Sequence, residues 1–344
     1  MQLHKLKLTD FRLFSLKEAQ FSPGVNLILG ENAIGKTTLL EAIYLLITGR
    51  SFRTHHYGEL IRQGASHFHV NLQFHKAGVS QELSYAMSNE QKKAHHNGNA
   101  LTSASHLLGI LNGVLMAPQD VELVKGGPSE RRHYLDVMLA QIDPNYVYHL
   151  LRYKKALKQR NALLRIKAAS ALDAFEEILA DAAEYLVKKR LLMVERLKPF
   201  LKELYAEISG KEHLAEIQYH GLSHPSKELY LQAFHKMRPR ELEVGTTLTG
   251  PHKDDLLIHL NQKEARYFGS EGEVRSLVSA LKLAEWKSIF QESGSEPLLL
   301  IDDFGISLDA RRLSALSSII KSCHQIIITS ANKECESLFN DFYK

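Results

Sequence analysis

The chain has 344 residues, 44% of them hydrophobic and 24% charged, a length suited to two domains or to one large domain carrying an insertion. This composition gives no case for disorder, and apolar runs such as Leu298 to Ile301 or Ile326 to Ile328 are strand-sized, too short for a helical membrane span. The net charge of +4 permits a polyanionic partner without demanding one; two cysteines, Cys323 and Cys335, lack CxxC spacing and point to a reducing compartment, the cytoplasm.

Leu3 to Leu8 and Phe11 to Phe21 read as short strands around a turn that ends at Pro23-Gly24. Val25 to Leu29 is a buried-strand run stopping at Gly30, and Lys36 to Ile47 has helical spacing at Leu39, Ala42, Ile43 and Leu46. Further short strands, broken by Gly78 and Gly98, are expected between Arg62 and Leu101. The middle then changes character. One helical stripe runs through Tyr146, Leu150, Tyr153, Leu157 and Leu164, and a second through Leu172, Phe175, Leu179, Ala182 and Leu186, with Pro199 expected to kink or end it. After Gly245 strands and helices mix again: Leu256 to Leu260 as a strand, Val274 to Phe290 as a helix, and the two all-apolar strands typical of a parallel sheet. The periodicity predicts a helical lobe over 144–210 inserted between strand-and-helix parts over 1–143 and 211–344.

Gly30-Glu31-Asn32-Ala33-Ile34-Gly35-Lys36-Thr37 fits G-x-x-x-x-G-K-[ST], with a strand before it and a helix after it. The glycines let backbone amides converge on phosphate oxygens, and the helix beginning near Lys36 turns its positive end toward them. Lys36 would reach the β and γ phosphates, the Thr37 hydroxyl would ligate Mg2+, and Thr38 continues the nucleotide-binding stretch. The carboxylates such a site requires are found at the end of the Leu298 to Ile301 run: Asp302 for the metal and Asp303 to position or deprotonate the attacking water.

Ser270-Glu271-Gly272 before a long helix, followed by the Asp302 strand, has the motif order of ABC-type ATPases. Thr48 to Thr54, Leu123 to Gly126 with Arg131-Arg132, Gly250-Pro251-His252-Lys253-Asp254-Asp255-Leu256 and Ala280 to Glu285 resemble the RecF family in particular. This resemblance spans nearly the whole chain. It implies an α/β fold: an ABC-type P-loop ATPase head, a mixed sheet with flanking helices, carrying an inserted helical lobe, similar to the heads of SMC-like proteins. It also implies that ATP is sandwiched in an ATP-dependent homodimer, where Ser270, Gly272 and Asp309 of one chain complete the site around Lys36 of the other, with Gln119 as a metal and water sensor. The family is further expected to act on gapped or double-stranded DNA and single-strand/double-strand junctions as a slow, DNA-stimulated ATPase switch, working with RecR and RecO to load RecA.

The sequence departs from the family pattern in places. Ala33 replaces a usual glycine, Glu271 and Glu273 replace usual glutamines, and Ile306 takes a usual serine position; Thr329-Ser330, and no histidine, follow the last strand, as is usual in the RecF family. Two other readings stay open: a nucleotide-independent DNA-binding scaffold with a degenerate site, and a transporter ATPase subunit. For DNA contact the candidates are Arg50, Arg53, Arg131 and Arg132 near the motifs, and Lys154, Lys155, Lys158 and Arg165 in a stretch from Asn145 to Leu172 that has no acidic residue. For the first four, internal ion pairs are the competing use; for the second four, it is a simply solvated helix face. His67 and His69 share a strand face, but no cysteine cluster accompanies them, so zinc is not expected.

Overall fold

A computed structural model describes residues 1–88, 91–210, 214–305 and 308–342. The chain divides into two compact units, Met1–Val121 with Glu203–Glu212 and Ser270–Lys344, and Glu122–Lys202 with His213–Gly269.

The first unit opens with β1 (Gln2–Phe11), β2 (Phe14–Gln20), β3 (Gly24–Leu29) and α1 (Lys36–Thr48). β4 (His67–Lys76), β5 (Val79–Ser88), β6 (Lys92–His96), β7 (Asn99–Leu101) and β8 (Gly113–Met116) come next. An antiparallel sheet has the order β2-β1-β4-β5-β6-β7. A register shift between Leu3 and Lys5 lets Leu3, Leu6 and Leu8 all face the core, which strict alternation would forbid. That core also takes Phe68, Val70, Leu72 and Phe74 from β4 and most of α1. All residues of α1 except Thr37 and Tyr44 are buried, so this helix is held on every side.

The second unit contains α2 (Glu122–Lys125), α3 (Pro128–Ile142), α4 (Pro144–Arg165), α5 (Leu172–Ser209), β9 (Ala215–His220), α6 (Lys227–Val244), β10 (Asp255–Leu260), β11 (Lys263–Glu264) and α7 (Ala265–Phe268); the last residues of α5 belong to the first unit. Its sheet is antiparallel in the order β11-β10-β9. The first unit is completed by α8 (Glu271–Ser293), β12 (Leu298–Ile301), α9 (Ala310–Ile320) and β13 (Gln325–Ser330). Its second sheet, β3-β13-β12-β8, is parallel throughout. The expected mixture of strand directions is therefore divided between two sheets.

The second unit differs from the expected helical lobe, which helical stripes alone placed over 144–210. It starts at Glu122 and takes in the strands and helix after His213, because buried arginines bind these segments together. Arg131 of α3 makes a two-pronged pair with Asp255 of β10 at 2.7 and 2.9 Å. Arg190 of α5 donates to Asp136 at 2.7 Å, the Tyr146 hydroxyl at 3.0 Å and the Pro251 carbonyl at 2.8 Å. Arg160, wholly buried, meets Glu176 at 2.8 Å, Glu241 at 2.6 Å and Thr247 at 2.7 Å. Such pairs replace lost hydration only when each charge is fully bonded, as here. Pro199 does not end α5: the helix continues to Ser209, held by the buried face Leu197, Leu201, Leu204, Tyr205 and Ile208. Among the described residues no helix is long and apolar enough to cross a membrane.

Candidate functional site

Four parallel strands end side by side, and each leads into a candidate site segment. After β3 comes the glycine loop, after β12 the pair Asp302-Asp303, after β8 the turn Pro118–Val121 with Gln119, and β13 itself ends in Thr329-Ser330. Open parallel sheets place ligands at this end because successive loops converge there. Residues 37 and 302 thereby come within a hydrogen bond: Thr37 Oγ1 donates to Asp302 Oδ1 at 2.9 Å. Thr329 Oγ1 donates to the same oxygen at 2.7 Å and accepts the Asp303 amide at 2.9 Å. Burial pushes the Asp302 carboxyl above its ordinary pKa, opposed by the two hydroxyl bonds.

Gly35 caps α1 in the left-handed region, with φ 98°. A Cβ there would lie 2.4 Å from Phe14 Cζ, so both backbone and space require glycine. Ala33 also has positive φ, 69°, and Asp303 has φ 53°. These are the strained positions of the site, at about 1–2 kcal/mol each for a residue with a Cβ. Lys36 is buried, and its ammonium donates to the Gly30 and Glu31 carbonyls at 2.6 and 2.7 Å. It is curled over the loop that would cradle phosphate. Glu31, Asn32 and Ile34 are exposed around it, while Thr38 is buried in α1.

At the start of α8, Ser270 forms a reciprocal capping box with Glu273. The hydroxyl donates to Glu273 Oε2 at 2.7 Å, and the Ser270 amide donates to the same oxygen at 3.1 Å. Both Ser270 donors are thus engaged by Glu273, one of the two glutamates that depart from the family pattern. Gly272 is covered by Arg312: a Cβ would lie 2.3 Å from its Nη1. Arg312 in turn pairs at 3.0 Å with Asp309, which caps α9. Ser270, Gly272 and Asp309 therefore form one group, with Arg312 between the last two. Ile306 lies outside the described residues.

The cations proposed for DNA divide. Arg131 is buried against Asp255, and Arg132 donates to the Asp254 carbonyl at 2.8 Å, so Arg131 is an internal strut and not a surface contact. Arg53 is at the site: it pairs with Glu41 at 3.4 Å and acts electrostatically on Asp302. Arg50, Lys154, Lys155, Lys158 and Arg165 are exposed, Lys154 standing 3.8 Å from Asp136. Sequence reading missed Glu41, a wholly buried carboxylate on α1 that gathers Arg12 at 2.7 Å, Ser51 at 2.5 Å and Arg53. An acid inside an otherwise apolar helix was the available signal. It also missed Arg312, which no motif marks.

Comparison with known proteins gives one family. The model of the RecF/RecN/SMC N terminal domain matches residues 2–344. The DNA replication and repair protein RecF of Protochlamydia amoebophila (strain UWE25) is 42% identical over 339 residues, covering 96% of this chain and 94% of that protein. The solved structure of the recombination mediator protein RecF-ATP in the RecFOR pathway has a TM-score of 0.89 at 32% identity, covering 97% of this chain and 93% of that one. An SmcHead bound to the C-winged helix domain of ScpA is similar in fold, with a TM-score of 0.60, 16% identity and coverage of 98% and 92%.

Proposed function

The chain belongs to the RecF family, and from that premise we propose that it is an ATP-gated DNA-binding protein that closes as a dimer around ATP. The observation carrying this reading is the 2.9 Å bond between Thr37 and Asp302, 265 residues apart, directly beside the Lys36 loop. A hydroxyl and a carboxylate are hard oxygen donors suited to magnesium, and the exposed Gln119 amide is a third oxygen on the neighbouring loop. Thr37, Asp302 and Gln119 would hold Mg2+, which when bound supplies charge neutralisation on the β and γ phosphates.

The chain's own residues do the rest. Gly30 to Thr38 bind the triphosphate through amides and the Lys36 ammonium, which exchanges the Gly30 and Glu31 carbonyls for phosphate oxygens. Asp303 orients and deprotonates the attacking water, its backbone fixed by Thr329. From a second copy, Ser270 and the Gly272 amide meet the γ-phosphate once Glu273 lets go, and Asp309 lines the same seam. Hydrolysis is a slow, DNA-stimulated switch. Lys155, Lys158, Arg165 and Arg50 contact DNA phosphates with little sequence preference. Gapped and junction DNA is the substrate; RecR, RecO and RecA are the partners in recombinational repair.

Calorimetry and sedimentation test this reading. The wild type should take up Mg-ATP and become a dimer; Lys36→Met should do neither, and Ser270→Arg should bind nucleotide yet stay monomeric. A Ser270→Arg chain that dimerises with ATP rules out the sandwich.

A further inference from the structure

We infer that Arg312 is a further nucleotide-binding residue acting in trans: its guanidinium, seated over Gly272, grips the γ-phosphate held by Lys36 of a second copy. This inference deepens the sandwich reading above and rests on it.

Arg312 lies in the first turn of α9, three residues after the Asp309 cap, and the groups concerned all belong to the first unit. Its guanidinium reaches across to the start of α8. A Cβ on Gly272 would lie 2.3 Å from Nη1 and 3.2 Å from Cζ. The φ of Gly272 is not positive, so this side chain, and not the backbone, calls for glycine there. Arg312 thus stands over the residue whose amide is assigned above to the γ-phosphate.

What sets Arg312 apart from the other covered arginines is its unspent donors. Arg131, Arg160 and Arg190 each bond through Nε and both Nη atoms to internal oxygens. The guanidinium of Arg312 has one partner among the described residues, Asp309, met by Nη1 at 3.0 Å. No acceptor there meets Nε or Nη2, although the side chain is only 16% exposed. A covered guanidinium with two idle nitrogens gains when water gives way to an anion. A phosphate would present two oxygens to the Nε–Nη2 edge, the bidentate geometry arginine favours, while Nη1 keeps Asp309 and so holds the group in aim.

Charge points the same way. Glu271, Glu273 and Asp309 bring three carboxylates to the group where a triphosphate has to dock. Arg275 pairs with Glu271 at 2.9 Å and Arg312 with Asp309. Of these two cations Arg312 is the one seated over Gly272, so it can offset the repulsion between carboxylates and phosphate where the contact is made. An arginine supplied by a second chain is a general device for stabilising phosphate charge.

Full-length wild type, Arg312→Gln and Arg312→Lys are followed by sedimentation velocity with Mg-ATP, and calorimetry records nucleotide uptake. Glutamine keeps much of the packing over Gly272 without the charge. The expected result is that Arg312→Gln takes up Mg-ATP as a monomer and dimerises at least about tenfold more weakly than the wild type, while Arg312→Lys recovers part of the difference. Mixed chains then separate a role in trans from a structural one. Lys36→Met carries Arg312 but no nucleotide and Arg312→Gln the reverse, so an equimolar mixture holds one complete site. It should dimerise at a concentration where neither chain does so alone, as should the reference mixture of Lys36→Met with Ser270→Arg, complete by the same rule. Wild-type dimerisation by Arg312→Gln overturns the inference. Loss of nucleotide uptake in Arg312→Gln does so too, as does a mixture with Lys36→Met that stays monomeric while the reference mixture dimerises. A wild type that remains monomeric with Mg-ATP sinks the sandwich and this inference together.

Discussion

Replacing Glu273 by glutamine should tighten ATP-dependent dimerisation. In the free chain Glu273 Oε2 lies 2.7 Å from Ser270 Oγ and 3.1 Å from the Ser270 amide. A phosphate oxygen accepting from Ser270 would sit one hydrogen bond beyond, placing two negative charges about 4–6 Å apart. At an effective dielectric between that of water and that of a protein surface, this repulsion is worth about 1–3 kcal/mol. Glutamine still caps the helix but removes the charge-assisted part of the bond that must break, about 0.5–1 kcal/mol. Even a net gain of about 1.4 kcal/mol is tenfold per site, hence about a hundredfold for a dimer with two sites. The assay is sedimentation velocity of Glu273→Gln and wild type over a range of concentrations with Mg-ATP, repeated at high salt, where screening should shrink the difference. Glu271→Gln, whose carboxylate already pairs with Arg275 at 2.9 Å, serves as the control with the smaller effect. If Glu273→Gln dimerises no more tightly than the wild type at equal nucleotide occupancy, Ser270 does not meet a phosphate in trans.

Removing the buried Arg131 leaves the partly buried Asp255 without its partner, so Arg131→Ala should lose about 2–3 kcal/mol and several degrees of melting temperature; an unchanged melt with weakened DNA binding would restore it as a surface contact. The triple variant Lys155→Ala/Lys158→Ala/Arg165→Ala should melt like wild type, bind DNA more weakly, and flatten the plot of log affinity against log salt by about two to three units of slope. An unchanged slope removes α4 from the DNA surface. Burial holds the pKa of His252 down at about 4, well below its ordinary value of 6.5, between the Tyr153 hydroxyl at 2.6 Å and the Thr247 carbonyl at 3.1 Å. Because the unfolded chain binds the proton more readily, the neutral imidazole contributes stability that is complete above pH 6.5 and lost as pH falls toward 4, on the order of 3 kcal/mol. Thermal melts of wild type and His252→Gln from pH 7.5 to 4 test this, since the variant should lose less on acidification; equal losses would refute it.

Much of the site was legible before any tertiary contact was known, because its parts are local. A glycine loop between a buried strand and a helix has few conformations, and Gly35, Lys36 and Thr37 take the places that pattern requires. An all-apolar run ending in two aspartates could only be an interior strand presenting acids at its end, as β12 does. Ser270-Glu271-Gly272 was legible as the segment before a long helix, and it does open α8, but the capping box with Glu273 emerged only in the structure. What the sequence could not decide was which charges find one another. Arg131 and Arg160 look no different from Lys155 and Lys158 along the chain, yet the first two are buried against Asp255, Glu176 and Glu241 while the others face solvent. The lobe's extent depended on the same pairings, which join α3 to a strand more than a hundred residues later. Buried charge is stable only where distant partners meet, so Glu41 and Arg312 acquired their places from the packing of the whole chain and from no motif of their own.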